Sequence, residues 1–204
     1  MKSVLISIQP KWVEKICKGE KTIEVRKTRP NIETPFKCYI YATKPKKYYK
    51  VSRFIATSDE NLYLVNGKVK MDNGFAYWGD GVDYEYLNRK VIGEFVCDKI
   101  YNLFPFAMGT GIELLDELVS PEMFCKESCL TEQEICDYIG EKDGYGWHIS
   151  DLKIYDKPKE LSEFWTIKCT NKRNGCQGCK VKPNCIKTIT RPFQSWGYVE
   201  SLGE

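Results

Sequence analysis

Gly19-Glu20-Lys21-Thr22-Ile23-Glu24-Val25-Arg26 is the stretch on which the reading of the fold turns. Upstream, Ser3 to Ile8 carries enough β-branched residues for a strand, and Pro10 suits the first turn of a helix, where its missing N–H has no partner to lose. Trp12, Val13, Ile16 and Cys17 form one helical stripe, and Gly19 supplies a left-handed terminator. Thr22 to Arg26 then reads as a second strand. Ile23 and Val25 share one of its faces, while Thr22, Glu24 and Arg26 share the other. A strand that places a carboxylate and a guanidinium on one face, just after a helix stop that projects Lys21, is either a solvated edge or the wall of a cleft.

Further along, Phe36 to Ala42 reads as a strand, and Asn66-Gly67 marks a hairpin over Leu62 to Met71. Val91 to Ile100 reads as a strand broken at Gly93. A helix is expected over Ile112 to Val119, and another is opened by Thr131, with Glu134 completing a capping box. Trp147 to Tyr155 and Trp196 to Glu200 return to strand character. Strands at both ends with helices between them predict an α+β fold, a mixed β-barrel flanked by short helices, and not a doubly wound parallel sheet.

The charge is unevenly distributed. Between Phe164 and Val199 stand seven basic residues and no acidic one, which leaves 24 basic against 28 acidic residues in the rest of the 204-residue chain. That tail also holds Cys169, Cys176, Cys179 and Cys185. A Cys-x2-Cys knuckle with two outlying cysteines matches the four thiolates of a tetrahedral structural zinc, and Gly175 and Gly178 let the backbone fold around the ion. Four thiolates leave no open position, so such a zinc would hold structure and would not activate water. Unligated thiols or an iron–sulfur cluster are the alternatives. The expected division is therefore a domain over residues 1–168 and a zinc-stapled extension over 169–204. Cys125, Cys129 and Cys136 also cluster, as a second metal site or as ordinary packing, with Cys136 on the apolar stripe of its helix. His148, the only histidine, is read as a hydrogen-bonding residue.

Composition sets further bounds. Hydrophobic content of 42% with 13% aromatic residues is globular. No apolar run approaches the roughly 20 residues of a membrane-spanning helix, and Met1 to Pro10 lacks the charged start of a secretory signal, so a cytoplasmic protein is expected. Ten cysteines there are not a disulfide framework.

The pattern Gly-x-Lys-x-x-Glu-x-Arg after a first strand and short helix resembles the signature of ASCH domains in the PUA-like superfamily. Ser7-Ile8-Gln9-Pro10-Lys11-Trp12 is similar to its lead-in, as are Val91 to Phe95 and Tyr145-Gly146-Trp147 to later strands of that domain. Thr190-Arg191-Pro192-Phe193-Gln194-Ser195-Trp196 resembles tails of ASCH-like proteins from phages and bacterial mobile elements. The resemblance spans about residues 1–168 and implies a small barrel with a cleft for RNA or a nucleobase. Lys21, Glu24 and Thr22 would be the catalytic candidates. Ligand-binding candidates are Arg26, Lys11, Trp12, Glu94, Tyr77, Trp78, Arg191, Gln194 and Trp196, with Glu24 on an exocyclic amine and an aromatic ring stacked on a base. Some such proteins are amidohydrolases of N4-acylated cytidine that use a Thr three positions after the Lys; here Glu24 stands at that position. Lys44, Lys46, Lys47, Lys50 and Arg53, interleaved with Tyr48 and Tyr49, form either a nucleic-acid patch or a solvated loop.

Three functions follow from these readings: binding of RNA or a modified nucleotide, hydrolysis at the same cleft by an amidohydrolase or a ribonuclease, and a protein-interaction module. For the metal, elemental analysis of the purified protein should find about one zinc per chain, and a chelator should loosen residues 169–199 while the barrel stays folded.

Overall fold

The structure, a computed structural model, describes residues 2–43, 89–106, 111–115, 119–167 and 185–200, with 70–71, 75–78 and 84–86 as backbone alone. In chain order the elements are β1 (Lys2–Ile8), α1 (Pro10–Cys17), β2 (Ile23–Arg26), β3 (Phe36–Ala42), β4 (Lys70–Met71), β5 (Phe75–Trp78), β6 (Tyr84–Tyr86), β7 (Val91–Cys97) and β8 (Ile100–Pro105). There follow β9 (Ile112–Leu114), α2 (Pro121–Ser128), α3 (Glu132–Ile139), β10 (Gly144–His148), β11 (Ser150–Lys159), β12 (Trp165–Ile167), β13 (Ile186–Thr188) and β14 (Trp196–Glu200).

A five-stranded sheet runs β11-β7-β3-β1-β14, with β1 parallel to β3 and antiparallel to β14. A four-stranded antiparallel sheet runs β2-β10-β8-β9. The two sheets face each other across a core of Val4, Ile6, Ile8, Cys38, Ile40, Phe95 and Trp147. Leu5, Tyr39, Val91, Phe164 and Val199 form a second core on the outer face of the larger sheet. A third core puts Ile23, Val25 and Leu103 of the smaller sheet against Phe124, Ile135 and Ile139 of the helices. β1 is thus buried on both faces from Ser3 onward, which is why its sequence is a nearly continuous apolar run.

The mixture of sheet and helix is as expected, but several elements differ. Ile112 to Leu114 is a strand and not the start of a helix, because Leu114 pairs with Leu103 and Ile112 with Pro105 on β8. The helix begins at Pro121, where Ser120 accepts a hydrogen bond from the Met123 N–H. β7 continues through Gly93, where its register with both β3 and β11 shifts, and the strand itself ends before Asp98-Lys99. The single strand expected over Trp147–Tyr155 is two, divided at Ile149. The Thr131–Glu134 capping box forms as the sequence predicts. The Asn66-Gly67 turn and the Lys44–Arg53 patch lie outside the described residues, as do Cys169, Cys176 and Cys179. No helix among the described residues is long and apolar enough to cross a membrane.

Gly146 marks the tightest helix-to-sheet contact. A Cβ there would lie 2.4 Å from the Phe124 ring and 3.0 Å from Ile23 Cγ2. Gly146→Ala should therefore cost about 1–3 kcal/mol, read as a lower thermal midpoint, because neither Phe124 nor Ile23 has room to retreat.

Candidate functional site

The end of α1 delivers Lys21. Gly19, at φ 72°, donates to the Ile16 carbonyl at 2.9 Å, and Glu20 donates to the Lys15 carbonyl at 2.9 Å. These are the two bonds of a Schellman motif, whose left-handed residue glycine adopts without strain. Lys21 adds a third, donating its own N–H to the Lys15 carbonyl at 3.1 Å, and the chain then turns into β2.

A second helix ends against this turn. At the C-terminus of α2, Cys129 takes a left-handed conformation at φ 55°, leaving the last carbonyls of the helix to be satisfied from outside. The Thr22 N–H donates to the Glu127 carbonyl at 2.9 Å, and Lys21 Nζ donates to the Ser128 carbonyl at 2.5 Å. A cation at the negative end of the helix dipole is favoured there. The Cys129 thiol closes the contact by donating to the Glu20 carbonyl at 3.2 Å.

On β2 the side chains converge. Glu24 Oε1 accepts from Arg26 Nη2 at 2.9 Å, and its Oε2 lies 3.5 Å from Lys21 Nζ. Lys21 is 2% exposed, Glu24 5% and Arg26 6%. This burial overturns the solvated-edge reading of the motif. Arg26 Nη2 also donates to the Ser7 carbonyl at 2.7 Å, and Nη1 reaches Ser195 Oγ at 3.2 Å and the Ser195 carbonyl at 3.4 Å. Among the described residues, Arg26 Nε and Trp147 Nε1 are buried without an acceptor. Trp147 stands opposite Glu24 across the β2–β10 ladder, so both orphan donors belong to one sheet face.

Rings and cations surround this cluster. Lys21 Nζ lies 5.1 Å and Lys11 Nζ 4.1 Å from the centroid of the Trp12 ring. Arg29 lies over Tyr145, which pairs with Arg26, and Lys27 lies over Tyr138 of α3 at 5.3 Å. Tyr138 keeps 40% of its surface exposed. Burial raises its phenol pKa, Arg26 pulls it down and Glu24 pushes it up, so its hydroxyl senses the cluster.

The other sequence-predicted residues divide. Thr22 leads into β2 and uses its backbone to tie Glu127 and Ile149. Trp196 packs at 5.9 Å from Trp147 and donates its Nε1 to Thr28 Oγ1 at 3.0 Å, which joins it to the cluster by packing. Arg191 and Gln194 are exposed on the turn before β14. Glu94 is not brought to the cluster: opposite Tyr39 on the larger sheet, it pairs with Lys37 Nζ at 3.1 Å and accepts from the Tyr155 hydroxyl at 2.6 Å. Tyr77 and Trp78 lie on β5, and their side chains are outside the described residues. Cys185 is buried just before β13. The Cys136 thiol donates to the Gly111 carbonyl and that of Cys129 to Glu20, while Cys125 packs beside the helical core. No group of three His, Cys, Asp or Glu among the described residues is placed to hold a metal. His148 pairs through Nδ1 with Asp98 Oδ1 at 2.7 Å, the hydrogen-bonding role expected of it. Ser7, Ser128, Tyr138 and Ser195 were missed; of these Ser7 and Ser195 lay in stretches that the sequence marks.

Burial holds the Lys21 ammonium below its ordinary 10.5, against the pull of Glu24. The unfolded chain therefore binds this proton more tightly than the folded one, so stability rises with pH from the depressed value up to about 10.5. Denaturant midpoints should show that rise in the native protein and a flatter limb in Lys21→Met; parallel curves would contradict the assignment.

No family profile and no curated protein matches the chain. Among solved structures the chain is similar to an ASCH protein of Zymomonas mobilis, at 19% identity and a TM-score of 0.44, over 78% of this chain and 73% of that one. A Tyr-to-Phe variant of the same protein matches at 18% identity and 0.45, over 79% and 77% of the two chains. A Ser-to-Ala variant matches at 19% and 0.45, over 78% and 74%.

Proposed function

We propose that the chain binds single-stranded RNA or a nucleotide at the Lys21–Glu24–Arg26 cluster, and that the ligand enters with a hydrogen-bond acceptor, a phosphate or carbonyl oxygen. The observation that carries this reading is the state of the donors and acceptors. Glu24 has a cation on each oxygen and so acts as an internal counter-ion. Arg26 keeps one buried N–H without an acceptor among the described residues. Leaving such a donor unmatched costs about 1–3 kcal/mol, which a ligand oxygen would recover. Two cations against one carboxylate favour an anion, and the ring–cation pairs Trp12–Lys11, Tyr138–Lys27 and Tyr145–Arg29 supply stacking faces beside phosphate contacts. The resemblance of the motif to that of ASCH domains agrees with this reading.

Hydrolysis at the same place is a second reading, favoured by one observation. Burial lowers the pKa of the Lys21 amine, which is the direction a base requires. Lys21 would then take a proton from water or from a nucleophile, and Arg26 would hold the carbonyl oxygen.

We also propose that Cys169, Cys176, Cys179 and Cys185 hold a structural zinc. The segment with the first three leaves at Ile167 and returns at Cys185, and its ends are closed by the Ile167–Ile186 pair of β12 and β13. A buried Cys185 at that closure fits a ligand.

Fluorescence anisotropy of a labelled single-stranded RNA tests the main reading. Affinity should fall steeply with salt, and Arg26→Ala or Lys21→Ala should weaken it by about tenfold or more. Glu24→Gln, which removes the internal counter-ion, should tighten binding; a loss would return Glu24 to the ligand. Turnover of N4-acetylcytidine abolished by Lys21→Ala would select hydrolysis instead.

A further inference from the structure

The guanidinium of Arg26 has five N–H groups, and those on Nη1 and Nη2 are directed by the fold while Nε is left over. A planar guanidinium fixed at both terminal nitrogens has no freedom left at the third, so the direction of Nε–H is set by what holds the other two. Nη2 is held by Glu24 and the Ser7 carbonyl. Among the described residues Nη1 is held by Ser195 alone, through hydroxyl and carbonyl, from a residue 169 positions later in the chain.

Ser195 is itself anchored on both sides of Arg26. Its carbonyl accepts from the Ser7 N–H at 2.8 Å, and Ser7 Oγ donates to the Phe193 carbonyl at 2.6 Å. The next residue, Trp196, pairs with Ile6 on β1 and reaches Thr28 just beyond β2. Gly197 allows the turn to close, since a Cβ there would meet the Phe193 ring at 2.4 Å. The hydroxyl of Ser195 therefore sits on a fixed frame and has Arg26 as its hydrogen-bonded side-chain neighbour.

We propose that Ser195 is a positioning residue, whose hydroxyl fixes the Arg26 guanidinium so that Nε–H is presented to the ligand; the ligand half of this claim rests on the reading of the site given above. Ser195→Ala keeps the 3.4 Å carbonyl contact and removes the shorter hydroxyl contact, so the Nη1 edge of the guanidinium is held more loosely. RNA affinity should fall about fivefold with little change in thermal midpoint, and Ser195→Thr, which keeps a hydroxyl, should restore it. In an Arg26→Ala background Ser195→Ala should cost nothing further, because the effect passes through Arg26. A second measurement needs no ligand: the Nε–Hε signal of Arg26 in nitrogen–proton correlation spectra, assigned by its absence in Arg26→Lys, should exchange slowly in the native protein and in Ser195→Thr, and faster in Ser195→Ala. If exchange ignores Ser195→Ala, the assignment is overturned whether or not RNA binds. If exchange responds and the native protein binds no RNA, the reading of the site falls and the hold of Ser195 on Arg26 stands. An equal loss of affinity in the Arg26→Ala background would assign Ser195 a direct contact and overturn the positioning role.

Discussion

The carboxylate of Glu24, held between Lys21 and Arg26 in the interior, is the interaction around which the elements of the fold are arranged. Burying three charges is costly, and attraction between them repays that cost only when the remaining donors are also met. The chain meets most of them, the Arg26 Nε–H excepted, with backbone from distant places: the Ser128 carbonyl at the end of α2, the Ser7 carbonyl on β1 and the Ser195 carbonyl before β14. Such a network adds little net stability beside an apolar core, but it admits few other arrangements of these elements. Moving α2, β1 or β14 takes an acceptor away from a buried cation.

The same network explains why helices as short as α1 and α2 are well defined. Each has eight residues, too few to be stable alone. α1 ends in a glycine turn, and the next residues cap α2 by a side chain and a backbone N–H. Lys21 is therefore a structural cap as well as a group of the proposed binding site. Cys129 accepts a left-handed conformation where glycine is usual, and its thiol bonds the chain that leaves α1.

Much of this was legible in the sequence, for local reasons. Strand alternation placed Glu24 and Arg26 together, Gly19 marked the helix end, and Thr131 with Glu134 named a cap that forms. Burial was not legible, because it depends on α2 and β14, which approach from far along the chain. The helix expected at Ile112 failed for a similar reason: its apolar spacing fits either a helical stripe or a strand, and pairing with Leu103 decided for the strand. Glu94 followed its own sheet face to Tyr155 and away from the cluster. Tyr138 gave no signal, since an aromatic on the flank of an amphipathic helix has nothing in its neighbours to separate it from ordinary packing.

The pairing of β1 with β14, from Lys2 opposite Glu200 to Ile6 opposite Trp196, sets an order of events during synthesis. The ribosome releases β1 well before its antiparallel neighbour, so one edge of this buried strand stays open while the elements between them are translated. A nascent chain in that state offers an unprotected template to other strands. Contacts of such long sequence separation also slow the final closure. This architecture therefore leaves an open strand edge on the growing polypeptide until β14 emerges to cover it.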